Sequence, residues 1–374
     1  MAAINIFPIY DYSNDIVIDY RPVVPVVVEN IPSILIDGVD IKSAYNVSLA
    51  DGNYAKILQF PNSKGVQYNE WDEYSGLDVD FNRVLLAASK GIDLTFICPK
   101  SLNDSFRAFH NFMMSSATHT LSYFGRLSTD PFPPITLRFE STKLNYVNEF
   151  FELATQHSVT YHFTVDVPWI PVNRETIYES SYSELSIVPY WENSDVNYNG
   201  MSFYIGKSVN DLRKSSRFGV CLLQGTSLSV QGKPNLKNSY TYSSEFSIGQ
   251  SVEALTTTAG YSITLNCLMR APSLAIFWTN YRALLWELFR GLTELYNVAD
   301  IDHPDPVISV FSPVLFPFWQ FIRLDIGYKQ TIQLKCYYES CSSKKFIIRK
   351  NGNLTPVFWQ FSLTFKVYEP ATFV

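Results

Sequence analysis

Gly91-Ile-Asp-Leu-Thr-Phe-Ile-Cys98 and Gly260-Tyr-Ser-Ile-Thr-Leu-Asn-Cys267 are two versions of one pattern. Ile92, Leu94, Phe96 and Cys98 alternate in the first with Asp93 and Thr95 in the gaps, and Tyr261, Ile263, Leu265 and Cys267 alternate in the second with Ser262, Thr264 and Asn266. A period of two with one apolar side predicts a half-buried strand in each. Both strands lead into runs spaced by three and four. Leu102, Phe106, Phe109 and Phe112 form one run, and Leu274, Trp278, Tyr281 and Leu285 form the other. That spacing gathers each set on one helix face, so these residues are the expected structural core. The second half is expected to repeat the plan of the first, and the role of such a chain is expected to be geometric.

Further out the repeat is fainter. Residues 34–41 can be laid over residues 221–228, each an apolar strand broken by a glycine, Gly38 or Gly225. Tyr74-Ser-Gly76 and Phe246-Ser-Ile-Gly249 supply two aromatic-then-glycine turns. Each half closes with an alternating strand, over residues 159–167 and 357–367, and then a proline. The competing explanation is that any two β-rich domains share strands of this kind. The expected organisation is an extended arm over residues 1–30, a first β domain over 31–167, a linker over 168–200 and a second β domain over 201–374.

Composition sets the class. The 374 residues allow about two domains. Only 17% are charged and 47% are hydrophobic, which supports packed cores and excludes general disorder. Aromatics reach 16%, more than a free monomer needs, so surface buried against partners is expected. No run of about 18 uncharged apolar residues marks a membrane helix. Met1-Ala-Ala-Ile-Asn does not open a signal peptide. Five cysteines without zinc spacing point to reduced thiols. Residues 1–200 hold 12 basic against 24 acidic side chains, and residues 201–374 hold 17 against 11. Opposite poles favour head-to-tail contacts between copies, and they give only a weak hint of nucleic-acid binding.

Motifs for catalysis are missing: there is no Walker A run, nucleotide-binding glycine fingerprint, zinc-protease motif or nucleophile elbow. The expectation is therefore no enzyme, no cofactor and no metal. Asp300, Asp302, His303 and Asp305 form an acidic turn without the glycine and closing Glu of a calcium loop. Glu70 and Asp72 are the nearest carboxylate pair, with only proximity to recommend them. Residues 311–321 form an apolar loop, in which Phe311, Phe316, Phe318 and Trp319 are the candidate interface.

The combination of antiparallel strands, one amphipathic helix and a long closing strand resembles the tail-tube fold of phage tails and related contractile injection machines. Residues 91–113, residues 260–289 and the strand Phe358-Trp-Gln-Phe-Ser-Leu-Thr-Phe-Lys-Val-Tyr368 carry the resemblance. It implies two tandem antiparallel β-sandwich or β-barrel units, each with one packed helix. It also implies a structural ring protein of the tube tip or baseplate, a hub or distal tail protein. The implied partners are other copies, as a homotrimer or homohexamer, and adjacent tube or baseplate proteins, with DNA passing unread through the lumen. The implied location is the virion tail, assembled in the bacterial host cytoplasm. From a different class, the alternative is a carbohydrate-binding β-sandwich that attaches to a receptor or glycan.

Overall fold

Both alternating stretches become long strands in the computed structural model. It describes residues 34–71, 74–80, 88–99, 101–122, 135–144, 156–166, 203–206, 212–223, 225–226, 240–243, 248–251, 259–289, 320–325, 331–348, 356–369 and 372–373. Strand β6 (Lys90–Pro99) buries Ile92, Leu94, Phe96 and Cys98 and turns Asp93 outward. It pairs along its whole length with β9 (Gln156–Val165). Strand β15 (Tyr261–Ala271) buries Ile263, Leu265, Cys267 and Met269 and pairs fully with β18 (Val357–Val367). An apolar sheet face needs a cover. Helix α3 (Asn103–Met114) supplies it after β6, and α4 (Leu274–Leu288) supplies it after β15.

The chain is mainly β, with two large antiparallel sheets and few helices. The first sheet adds β1 (Leu35–Ile36), β2 (Val39–Asp40), β3 (Ser48–Leu49), β7 (Thr118–Ser122) and β8 (Ile135–Leu144). Its order is β2-β1-β7-β8-β9-β6-β3. The second adds β10 (Phe203–Gly206), β11 (Arg213–Lys214), β12 (Val220–Leu222), β16 (Gln320–Asp325) and β17 (Thr331–Ile348). Its order is β11-β10-β16-β17-β18-β15-β12. The two orders correspond strand for strand. A short β19 (Thr372–Phe373) pairs with β17 outside the correspondence. The hairpin β4 (Tyr68–Asn69) with β5 (Asp78–Val79) has a counterpart in β13 (Tyr240–Ser243) with β14 (Ile248–Ser251).

Irregular features match as well, which strand propensity alone does not explain. Strand β8 slips register between Phe139 and Ser141 opposite Phe163 and His162. Strand β17 slips between Tyr338 and Ser340 opposite Phe365 and Thr364. The extra residue is a glutamate in both, Glu140 and Glu339, and an unpaired bulge residue leaves its backbone groups open to other partners. Helix α1 (Ile41–Tyr45) and the 3-10 turn Ser215–Phe218 end on left-handed residues, Asn46 at φ 55° and Gly219 at φ 65°. Left-handed Gly52 and Gly225, at φ 85° and 94°, each follow six residues later.

A buried polar clasp comes next in each half. The Asn53 amide donates to the Ala50 carbonyl at 3.0 Å and accepts the Thr95 N–H at 3.2 Å. The Thr226 hydroxyl donates to the Leu223 carbonyl at 3.0 Å and accepts the Asn266 N–H at 2.9 Å. Both side chains are buried, and each locks the chain after an edge strand to the long strand beside it.

These contacts fix the correspondence between the halves and shift two sequence expectations. Leu49 lies opposite Phe96, and Leu222 lies opposite Cys267, so Phe96 matches Cys267. The glycine-to-glycine overlay is therefore two residues out. A slip of two keeps every side chain on its own face, which is why the pattern survived it. The overlay of residues 34–41 on 221–228 is out by a whole turn: Gly225 matches Gly52, and Cys221 matches Ser48. The stretch Tyr45-Asn-Val-Ser-Leu-Ala-Asp-Gly52 then lies on Phe218-Gly-Val-Cys-Leu-Leu-Gln-Gly225 without a gap.

One hydrophobic cluster runs through residues of both halves. The reason is α2 (Asn53–Leu58) and the chain after it, which leave the first sheet and pack on the second. The expected arm (1–30) and linker (168–200) lie outside the described residues. No helix among the described residues is long and apolar enough to cross a membrane.

Candidate functional site

The crossing segment after α2 joins the two sheets through specific contacts. Phe60 is fully buried. Its ring lies 4.7 Å from Tyr281, 5.1 Å from Trp359 and 6.1 Å from Phe361, so an aromatic from the first half completes the core beneath α4. Edge-to-face packing on Trp359 and Phe361 adds to the plain burial of the ring. Polar bonds on either side fix its register. The Gln59 side-chain amide donates to the Cys341 carbonyl at 2.6 Å, and the buried Tyr338 hydroxyl donates to the Pro61 carbonyl at 2.9 Å. At the β17 bulge, the Glu339 carbonyl accepts the Ser63 N–H at 2.9 Å and the Ser63 hydroxyl at 3.2 Å.

Further along, the Leu77 N–H donates to the Tyr368 carbonyl at 2.8 Å, and Leu77 packs over Gly260. Gly76 sits so close to the Tyr368 carbonyl that an added Cβ would lie 2.0 Å from its oxygen. Lys90 begins β6 beside this junction, and its ammonium donates to the Lys56 carbonyl at 3.2 Å. Burial pulls Lys90 down to about 8, against the opposing influence of the Cys341 sulfur. Burial likewise pushes the Cys341 thiol up to about 12, so it is a neutral core group at neutral pH.

On the first sheet, the equivalent ground is less covered. Phe139 and Thr142, which match Tyr338 and Cys341, are half-buried, whereas Tyr338 and Cys341 are buried. His157 stands where the second sheet has Trp359; it is half-buried and stacks on Phe106 at 5.2 Å. Its Nε2 is buried without a hydrogen-bond partner among the described residues. The Glu140 side chain is 43% exposed and pairs with Arg138 at 2.6 Å.

The hairpin β4–β5 carries the most exposed aromatics among the described residues: Tyr68, Trp71 and Tyr74 at 46%, 52% and 73%. An open cleft of about 340 Å³ lies between Trp71, Tyr74, Ser75, Gly76, Leu77 and Asp78. The Trp71 indole N–H reaches the Asp78 carboxylate at 3.3 Å.

The residues expected to form the core fall in the helices as follows. Phe109 is fully buried and packs on Phe96 and Tyr161 at ring distances of 5.1 and 6.2 Å. Trp278, Tyr281 and Leu285 are buried in α4. Leu102, Phe106 and Leu274 are only partly buried against the core. The Phe106 N–H bonds Leu102 and the Phe277 N–H bonds Ser273, so Phe106 matches Phe277 rather than Trp278. Phe60 was missed because it lies outside both helices; its only sequence signal is a phenylalanine before Pro61-Asn62, and Pro234-Asn235 recurs at the matching place.

Among the other described polar groups, one buried set joins two elements of the first half. His119 is buried, with Nδ1 at 2.7 Å from Asp37 and Nε2 at 2.9 Å from the Met113 carbonyl. It ties the β1–β2 turn to the end of α3. Burial alone would raise the Asp37 carboxyl, but the Thr120 N–H and hydroxyl together with the His119 ring hold it below its usual range. All five cysteines are free thiols. No cluster of metal-ligating side chains occurs among the described residues. Glu70 is described and Asp72 is not, so that pair goes untested. Phe311, Phe316, Phe318 and Trp319, and the acidic turn at 300–305, lie outside the described residues. Gln320 and Phe321, at the end of the expected loop, begin β16.

No protein-family model matches the chain, and no curated protein or solved structure matches it either.

Proposed function

We propose that the two sheets are tandem units of tail-tube type, and that the protein is a ring-forming structural component of a phage tail or related contractile injection apparatus. The place assigned is the tube tip or baseplate, as a hub or distal tail protein, with no catalytic step. The observation that carries this reading is the shared strand order, together with the glutamate bulge and the buried polar clasp repeated in both sheets. A chain holding two equivalent sheets can close a pseudo-sixfold wall with three copies, or use one sheet per copy and close with six.

The open sheet faces support a lumen. Strands β6 and β9 present Asp93, Thr95, Thr160 and His162, and the Thr95 and Thr160 hydroxyls lie 2.9 Å apart. Strands β15 and β18 present Ser262, Thr264, Thr364 and Lys366. These faces are hydrophilic, and the second adds Arg270 and Lys344 to Lys366, cations that attract the phosphates of passing DNA without reading its bases. Adjacent tube or baseplate proteins are the remaining partners, in a virion tail assembled in the bacterial cytoplasm. Native mass spectrometry at micromolar protein tests the reading: three or six copies support it, and a monomer at every concentration refutes it.

A second reading is supported by the hairpin cleft. Trp71 and Tyr74 offer flat apolar surfaces beside the Asp78 carboxylate, the combination that takes the C–H face and hydroxyls of a sugar. Glycan-array binding that disappears in Trp71→Ala would move carbohydrate attachment to first place.

A further inference from the structure

We propose that the open face of the second sheet binds single-stranded nucleic acid along a track of four cations, Arg270, Arg323, Lys344 and Lys366, and three aromatic rings, Phe358, Tyr204 and Tyr68. The inference goes beyond the structural role above. It holds for one copy or for a ring, because every group in the track belongs to one chain.

Strand alternation puts these groups on the side opposite the core. Arg270 stands between buried Met269 and Ala271, Lys366 between buried Phe365 and Val367, and Arg323 between buried Ile322 and Leu324. Each of the three lies over an aromatic ring. Arg270 is 5.6 Å from the ring centre of Phe358, Arg323 is 4.6 Å from that of Tyr204, and Lys366 is 5.9 Å from that of Tyr68 on the β4–β5 hairpin. Phe358 and Tyr204 are half-buried, and Tyr68 is exposed. Lys344 is exposed and donates to the Asn266 side chain at 3.2 Å, between the two ends of β18. From Phe358 to Lys366 the strand runs about 26 Å, and Tyr204 lies about 14 Å across the sheet from β18.

The repeat supplies an internal control. The pair Arg270–Phe358 stands where the first sheet has Pro99–Gln156, and Lys366 stands where it has Thr164. On the first sheet the exposed charges are mutually engaged: Arg138 pairs with Glu140 at 2.6 Å and with Asp166 at 2.5 Å. The same fold accepts either set, so folding does not dictate the cations and rings of the second sheet.

Their chemistry fits a single strand. Cations take the phosphates, while rings and guanidinium planes offer surfaces on which unpaired bases stack. A duplex keeps its bases inside and presents the rings with nothing to stack. Two carboxylates share this face, and each has its own neighbour: Glu369 pairs with Lys335 at 2.5 Å, and Glu339 accepts the Ser262 hydroxyl at 3.2 Å.

Fluorescence anisotropy of a labelled oligothymidylate with the full chain tests this. Log affinity is expected to fall with log salt at a slope of about −3, the value for four phosphate contacts on a single strand. Binding is expected to be about tenfold weaker to an abasic strand of equal length, and weaker to a duplex. Phe358→Ala and Phe358→Leu, the second keeping an apolar side chain, are each expected to weaken binding about tenfold. Arg270→Gln with Lys366→Gln is expected to halve the salt slope, about −0.7 being lost with each contact. Arg138→Gln on the first sheet is expected to change nothing. An abasic strand bound as tightly, a duplex bound more tightly, or a wild-type chain that binds no strand at low salt would overturn the proposal. So would Phe358 variants of full affinity. A protein that is monomeric throughout would remove the ring reading and leave this one standing.

Discussion

Ser63 and Glu339, 276 residues apart in the chain, are joined by two hydrogen bonds to one carbonyl. The carbonyl is available because a β-bulge frees it, and the serine is there because Phe60 is anchored three residues earlier. The first half of the chain therefore finishes the core of the second. Phe60→Ala should cost on the order of 3–5 kcal/mol, the usual loss for a buried phenylalanine. Calorimetry should show the transition of the second sheet moving down even though the substitution lies in the first half. A shift confined to the first sheet would contradict the coupling.

Asn53 and Thr226 should behave as a matched pair. Asn53→Ala leaves the Thr95 N–H without its partner, and Thr226→Val does the same to Asn266. A buried donor left unsatisfied costs about 1–3 kcal/mol, so urea denaturation should show losses of that size in both variants. A large loss in one and none in the other would mean that the clasps are not equivalent.

Much of the architecture was legible because the strand period is two and the helix runs are spaced by three and four. Ile92 to Cys98 and Ile263 to Cys267 are buried as their alternation predicts. The register was not legible, because a two-residue slip leaves the same faces apolar and only cross-strand contacts such as Leu49 opposite Phe96 distinguish the alternatives. The junction was less legible still. Phe60, Gln59 and Ser63 follow a six-residue helix and show no period, and their partners Trp359, Cys341 and Glu339 are nearly 300 positions away. The bulges could have been suspected only by aligning Glu140 with Glu339, which requires the register first.

Gly76 should tolerate no side chain. Its φ is 88°, and a Cβ would meet the Tyr368 carbonyl, so Gly76→Ala must displace backbone at the junction. A thermal melt should fall by several degrees, corresponding to a loss of about 1–3 kcal/mol. Gly91→Ala is the comparison, since a Cβ there meets nothing within 4 Å, and it should be close to neutral.

Lys90 makes stability depend on pH in a defined direction. Burial lowers it to about 8 from an ordinary 10.5, so between those values the unfolded chain holds more protons at this group than the folded one. Its contribution therefore rises with pH across that window, and the full burial cost is present below about pH 8. Lys90→Met should stabilise the protein by about 1–2 kcal/mol at pH 7, allowing for the lost bond to Lys56. The gain should fade above about pH 10 in chemical denaturation. An equal gain at every pH would mean that Lys90 is solvated in the folded state.

The central claim is that two equivalent sheets per chain build one wall. Electron microscopy of the purified protein at micromolar concentration tests it most directly. Class averages should show a closed ring with six similar lobes around an open centre, and the particle mass should correspond to three chains, or to six if one sheet per chain joins the wall. Isolated two-lobed particles of single-chain mass, unchanged by concentration, would contradict the account.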